Sequence, residues 1–400
     1  MKLLHIADLH IGKRVNEFNM IEDQRYILNQ ILRITEETQP DAVLIAGDVY
    51  DKCQPSAEAV ELLDEFLTLI TSRVRKVLMI SGNHDSPERL GFGSRILKKN
   101  GLHIGGVFDG SLSKVVLKDE YGKVNLYLLP FIKPAMARPY FDIPLETYDS
   151  TLRAVLSRES LPAGDRNVLL AHQFVTSGAA EPERSDSESL SLGGLDNVDV
   201  SCFEGFDYVA LGHIHGPQKI GRDTVRYAGS PLKYSFSEAR HKKSAVLVEL
   251  GAKGDWDIRL IPLEPLRDMR RIRGPLEQLL KAGREDGGIR DYIHATLTDE
   301  EEIYDAVGKL RRVYPNLMAL EFDNSRINSF ANGPAYGPAN GPAYGSKEAG
   351  ALNITEGEGG HSPEILFREF FQLQNGYDLS LEQRTVMEEI LEQASGGGAL

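Results

Sequence analysis

Met1-Lys2-Leu3-Leu4-His5-Ile6-Ala7-Asp8-Leu9-His10 decides how the rest of the chain is read. Residues 3–7 are apolar apart from His5 and read as a buried strand, closed at once by Asp8-Leu9-His10. Four later runs end in the same way. Residues 42–46 lead to Gly47-Asp48, and residues 77–81 to Gly82-Asn83-His84-Asp85. Residues 168–171 lead to His172, and residues 208–211 to Gly212-His213-Ile214-His215. In open α/β sheets, ligands gather outside the carboxyl ends of strands. Five strand ends would therefore deliver Asp8, His10, Asp48, Asn83, His172, His213 and His215 to one rim.

These residue types point to metal chemistry. Any one block alone is weak, because a histidine at a strand end is more often simply hydrogen-bonded than functional. Five in order, each after a strand, are a different matter. Oxygen and imidazole donors without thiolate suit manganese, magnesium, iron or catalytic zinc rather than a structural zinc site. Seven donors exceed the needs of one ion. A carboxylate at Asp48 could join two cations about 3.5–4 Å apart, the usual spacing of a two-metal hydrolytic site. Asp8 and His10 are expected to alternate along their strand and so face one side, as are His213 and His215. Gly47, Gly82 and Gly212 stand where the backbone must turn or come close to the ions. If Asn83 is a ligand, His84 points elsewhere, towards substrate, where an imidazole could protonate a leaving oxygen.

The ordered set D-x-H, G-D, G-N-H-D, H, G-H-x-H resembles the calcineurin-like metallophosphoesterases. The opening ten residues and Ala46-Gly47-Asp48-Val49-Tyr50-Asp51 resemble in particular the SbcD nucleases, bacterial counterparts of the archaeal and eukaryotic double-strand-break repair nucleases. The motif match runs to about residue 260 and continues more weakly beyond. The resemblance implies a four-layer α/β/β/α sandwich with a small α+β capping domain and a C-terminal helical docking segment. It implies two divalent ions, manganese first among the choices. One would take Asp8, His10, Asp48 and His215; the other would take Asp48, Asn83, His172 and His213. His84 would be the catalytic, non-ligand histidine. The archaeal and eukaryotic relatives carry a histidine three positions past the bridging aspartate. This chain has Asp51 there, so that histidine's role is not carried over. Asp51 and Asp85 are read as carboxylates behind the ligands, Asp51 orienting His84 or a ligand.

The chain has 400 residues, 41% hydrophobic and 26% charged, which suits a soluble protein of two or more units. No stretch approaches the roughly 18–20 apolar residues of a membrane span. His5, Asp8 and His10 interrupt the N-terminal apolar run, so it does not read as a signal peptide. Two cysteines, Cys53 and Cys202, fit a reducing cytoplasm. The net charge of −14 argues against a surface coated for nucleic acid, although binding depends on a local basic face. The candidate DNA contacts are Lys13, Arg14, Arg89, Arg267, Arg270 and Arg271.

Helical periodicity marks residues 21–38 and 56–72. The second has more apolar residues than one buried face needs. The resemblance turns that surplus, with the helix at 94–99, into a homodimer surface. An acidic, serine-rich loop at 177–194 follows His172 and should border the site. Gly229-Ser230-Pro231 is either a buttress of the site or an ordinary turn. Residues 1–262 form the expected nuclease domain. Residues 263–330 form the expected capping domain, with helices at 275–281 and 299–313 and strands at 292–297 and 319–322. Repeated Gly-Pro-Ala-Tyr/Asn makes 331–361 a linker, regular enough to look engineered. Two amphipathic helices in 362–394 would dock, by the resemblance, on the SbcC ATPase. No Gly-x-x-x-x-Gly-Lys-Ser/Thr loop occurs, so ATP hydrolysis belongs to the partner. The implied substrates are DNA ends and hairpins. The implied activities are 3′-to-5′ exonuclease and single-strand or hairpin endonuclease. The rivals are a small-molecule phosphodiesterase on the same fold and a non-catalytic DNA-end scaffold.

Overall fold

The computed structural model describes residues 1–188 and 196–324, and in the tail 367, 368, 371, 379, 380, 383–387 and 390. The linker expected at 331–361 lies outside the described residues, as does most of 362–394.

Two six-stranded sheets lie face to face. The first orders β12-β11-β1-β2-β3-β4. Its members are β1 (Lys2–Ile6), β2 (Ala42–Ala46), β3 (Lys76–Ile80), β4 (Leu102–Gly105), β11 (Ser244–Leu250) and β12 (Trp256–Pro262). The second orders β9-β10-β8-β7-β6-β5. It comprises β5 (Ser113–Asp119), β6 (Gly122–Leu128), β7 (Arg166–His172), β8 (Tyr208–Gly212), β9 (Gln218–Ile220) and β10 (Arg222–Tyr227). The central pairs β1–β2, β2–β3, β6–β7, β7–β8 and β8–β10 are parallel. Parallel strands are buried on both faces, which is why β2, β3 and β8 are almost wholly apolar.

Leu3, Leu44, Leu78, Leu126, Leu170, Ala210 and Val246 fill the space between the sheets. Helices α1 (Ile21–Thr38) and α2 (Ala57–Thr71) cover the first sheet through Ile27, Ile31, Leu62 and Phe66. Helix α3 (Tyr148–Ser157) covers the second through Leu152 and Val155. The four layers are those of the α/β/β/α sandwich. Among the described residues no helix is long and apolar enough to cross a membrane.

A third sheet, β13-β14-β15, follows: β13 (Met269–Gly274), β14 (Tyr292–Leu297) and β15 (Leu317–Phe322), all parallel. Helices α4 (Leu276–Gly283) and α5 (Ala306–Arg311) pack on it around Leu279, Ile293 and Leu310. Of the helix expected over 299–313, only residues 306–311 in its second half are helical. Asp305, in a left-handed conformation, caps α5 by accepting the Gly308 N–H at 3.1 Å, so the preceding residues stay outside the helix. The unit sits on α1 through Tyr292, whose hydroxyl donates to Asp23 at 2.7 Å.

Candidate metal centre

Every candidate ligand lies at or just past the carboxyl end of a parallel strand. Asp8 and His10 follow β1, Asp48 follows β2, and Asn83 and His84 follow β3. His172 ends β7, and His213 and His215 follow β8. The expectation that Asp8 and His10, and His213 and His215, alternate along strands is corrected. The strands stop short of them. Asp8, His10, Asp48 and His213 have φ of 53°, 44°, 47° and 102°. Such values are uncommon for residues with a Cβ, and strain of this kind collects at functional sites. Side-chain direction here is set by turns, not by the pleat. The two turns support each other: the N–H groups of Asp8 and His10 donate to the carbonyls of Gly47 and Asp48 at 3.1 and 2.9 Å.

The donors converge. His10 Nε2 lies 3.1 Å from His215 Nε2 and 3.6 Å from Asp48 Oδ2. His172 Nε2 lies 3.3 Å from the same oxygen and 3.0 Å from Asn83 Oδ1. That amide oxygen is in turn 2.8 Å from His213 Nδ1. Asp48 thus stands between two groups of ligand atoms. Asp8, His10 and His215 form one set of side chains whose donor atoms lie within 4.8 Å of one another, and Asp8, Asp48 and His172 form another. A third joins His10, Asp48 and His84.

The electrostatics favour cations. Burial disfavours protonation of His172, yet the carboxylates of Asp48 and Asp8 outweigh it and push it up to about 9. Burial would raise both acids. The His172 imidazole nevertheless holds Asp48 well below the usual carboxylate range, whereas Asp8 is raised. Burial pushes His10 down to about 3 and also lowers His215, so both rings are neutral. Asp8 Oδ2 is buried without a hydrogen-bond partner. Two neutral imidazoles facing each other through Nε2 beside an orphaned carboxylate oxygen are what a shared cation would satisfy. The donor set therefore fits divalent ions.

The surrounding residues hold these groups in place. Asp85 accepts N–H bonds from Val49, Tyr50 and Gly82 at 3.1, 2.9 and 2.8 Å, tying the β2 turn to the β3 turn. Burial, then the charge of Asp48, pushes Asp85 up to about 6. Asp51 does two things: its carbonyl holds His84 Nδ1 at 2.9 Å, and its carboxylate lies 3.6 Å from His10 Nδ1 and 2.7 Å from Lys13 Nζ. His84, half-buried, leans edge-on against the His10 ring at 4.8 Å. Gly229-Ser230-Pro231 meets the site directly, since the Ser230 N–H donates to the His215 carbonyl at 3.1 Å.

Sequence reading missed Gln24, Tyr234 and Phe131. Gln24 Nε2 donates to the His10 carbonyl at 2.7 Å, and the Tyr234 hydroxyl to the Leu9 carbonyl at 2.5 Å. Phe131 stacks on His213 at 6.4 Å. None lies in a strand-end block, and only tertiary packing brings them in.

The basic residues separate into two groups. Arg267 pairs with Glu22 and lies 3.6 Å from Asp23. Arg270 pairs with Asp286 and Asp291, both at 2.7 Å, and Arg271 Nε donates to the Phe236 carbonyl at 3.1 Å. These three hold the small unit together or dock it. Lys13 is half-buried on Asp51. Arg14 and Arg89 are exposed.

Two packed sheets with a dinuclear-type donor set at their shared rim define a metal-dependent phosphoesterase. Residues 1–217 match the calcineurin-like phosphoesterase family, and residues 265–375 match the type 5 capsule protein repressor C-terminal domain. Two relatives are named as the SbcD component of the nuclease SbcCD. The Staphylococcus epidermidis protein is 36% identical over 333 residues, covering 81% of this chain and 87% of that one. The Staphylococcus saprophyticus protein is 34% identical over 325 residues, covering 80% and 84%. The chain belongs to the SbcD family of calcineurin-like phosphoesterases. Among solved structures, a dimetal phosphatase from Danio rerio is 13% identical, covering 66% of this chain and 98% of that one. At a TM-score of 0.41 it carries no argument.

Proposed function

We propose that the chain is the nuclease component of an ATP-dependent complex that processes DNA ends, hydrolysing phosphodiesters at a two-metal centre. The observation that carries this is the convergence of seven donors from five strand ends around Asp48, in a chain similar over most of its length to SbcD proteins. Asp8, His10, Asp48 and His215 would hold one ion, and Asp48, Asn83, His172 and His213 the other. Manganese suits this oxygen and imidazole set. When bound, such ions make a nucleophile available near neutral pH and neutralise charge on the phosphate. The protein's own part is to keep the His10 and His215 rings neutral with their Nε2 atoms inward, and to place His84. His84 Nδ1–H donates to the Asp51 carbonyl, so proton delivery to the departing sugar oxygen falls to Nε2.

Residues 1–262 would be the nuclease domain, 263–330 the cap that guides duplex DNA, 331–361 a linker and 362–394 the segment that binds the SbcC ATPase. Phe367, Val386 and Ile390 are exposed apolar side chains in that last segment. The activities would be 3′-to-5′ exonuclease on ends and endonuclease on hairpins, in the cytoplasm. The deciding assay uses hairpin and linear duplex DNA with manganese. Wild type should cut both. His84→Ala should still bind two ions and DNA, with turnover reduced about 10²–10⁴-fold, the usual worth of a general acid. Hydrolysis of a small phosphodiester with no cleavage of DNA would transfer the assignment to the small-molecule enzyme.

The homodimer would form through α2 and the short helices after β3. Phe92 and Ile96 are 85% and 72% exposed, and Val60 and Leu69 of α2 are exposed as well. Exposed large apolar side chains of this kind suit an interface. Light scattering should give a dimer for wild type and a monomer for Phe92→Ser/Ile96→Glu. A monomeric wild type would refute this placement.

A further inference from the structure

We propose that Glu238, acting through Ser187 and held by Lys243, is the positioning residue that sets the His215 ring for metal binding. The inference rests on the metal-centre reading above and extends it to residues outside the ligand set.

The geometry is a closed account of His215. Its backbone N–H donates to Glu188 Oε1 at 2.8 Å. Its carbonyl accepts from Lys243 Nζ at 2.8 Å and from the Ser230 N–H at 3.1 Å. Its Nδ1–H donates to Ser187 Oγ at 2.7 Å, and the Ser187 hydroxyl donates to Glu238 Oε1 at 2.6 Å. The direct Nδ1 to Oε1 separation is 3.5 Å, so the hydroxyl is the shorter route. Only Nε2 is left, and it faces His10 Nε2 at 3.1 Å. The protonated nitrogen is thereby fixed as Nδ1 and the lone pair as Nε2, which a ligand to a cation requires.

Lys243 is fully committed to this arrangement. An ammonium has three donors, and its three acceptors are Glu238 Oε2 at 2.5 Å, the His215 carbonyl and Ser230 Oγ at 2.9 Å. Glu238 is fully buried and Lys243 nearly so. Buried ion pairs are poor sources of stability compared with apolar packing. Burying this one beside a candidate ligand is explained by what it does to the imidazole: a carboxylate behind the ring orients it and raises its basicity. Glu238 is not itself a ligand, because Oε1 accepts from Ser187 and the Tyr234 N–H, and Oε2 from Lys243.

The test is manganese binding to the full chain, by isothermal titration and low-temperature electron paramagnetic resonance. Wild type should bind two ions and show a spin-coupled pair. The double variant Glu238→Gln/Lys243→Met removes the buried charges together, which avoids leaving one uncompensated. It should bind one ion with wild-type affinity and the other about 10–100-fold more weakly, the usual effect of losing such a partner. At intermediate manganese the coupled spectrum should give way to that of isolated ions. Ser187→Ala, in a partly exposed loop, should weaken the same ion several-fold whether or not the double variant folds. Wild-type affinity for both ions in Ser187→Ala, or in a folded double variant, overturns the proposal. A wild type that binds no coupled pair overturns the metal-centre reading itself, a separate and recognisable result.

Discussion

Asp48→Ala is expected to eliminate manganese-dependent DNA cleavage, by at least about 10³-fold, since pairing two cations is worth several kcal/mol at about 1.4 kcal/mol per decade. Asp48 stands between the two groups of donors, with Oδ2 3.3 Å from His172 Nε2 and 3.6 Å from His10 Nε2. Its other oxygen accepts the His84 N–H at 2.9 Å. The loss should therefore exceed that of any single terminal ligand, and titration should show neither ion bound at wild-type affinity. Asp48→Asn separates charge from shape. It keeps an acceptor for the His84 N–H but cannot offer two anionic oxygens, so it too should fail to cleave.

The metal-free protein adds a check with a definite sign. His172 is raised to about 9 from an ordinary 6.5, largely by Asp48 against the opposing effect of burial. A raised base stabilises the fold fully below pH 6.5 and loses that contribution as pH climbs through 9. Thermal stability of the metal-free wild type should fall across that window, and Asp48→Asn should flatten the fall. An equally steep decline in both proteins would show that the two side chains are not paired.

How much of this was legible in the sequence follows from what holds each part in place. Helix Ile21–Thr38 and strands Trp256–Pro262 and Tyr292–Leu297 were legible to the residue, because local pattern and a clear stop determine them. Sheet pairing was legible as a class, since short apolar runs ending in Gly or Asp suit parallel strands buried on both sides. The rim was legible as a set of residues but not as a geometry. Left-handed backbone at Asp8, His10 and Asp48 has no glycine to announce it; it exists because adjacent turns bond to each other. The partners of His215 were not legible for another reason. Ser187 lies 28 residues away in the loop at 177–194, which was expected to border the site but offered no signal for which residue would meet His215, and Glu238 lies 23 residues away in a segment with no motif. The basic run at 267–273 looked like a substrate surface, yet Arg267 and Arg270 meet acids that only the folded chain brings near. Charge in a sequence does not reveal whether it is already paired.

Gly212→Ala should be the most damaging small substitution in the fold. A Cβ there would lie 1.9 Å from the Ala46 carbonyl oxygen and 2.8 Å from His172 Nδ1. Neither side has room to yield. Gly212 ends β8, which pairs with β7 and β10, and Ala46 ends β2, which pairs with β1 and β3. The two sheets meet at this point, and the Ala46 carbonyl is also the acceptor that orients His172 at 2.8 Å. Forcing them apart costs about 1–3 kcal/mol or more by analogy with overpacked cores. At about 2–4 °C per kcal/mol for a folding unit of 150–250 residues, the melting temperature should drop by roughly 2–12 °C. The surviving fold should also lose affinity for the ion next to His172, because its ring no longer has a fixed acceptor. Gly164→Ala is the matched control: nothing lies within 4 Å of the added Cβ and the backbone is not left-handed. That variant should be neutral or slightly more stable, by up to about 1 kcal/mol through the unfolded chain. If both variants melt like wild type and bind two ions equally well, the sheets do not meet at Gly212 as closely as the geometry requires.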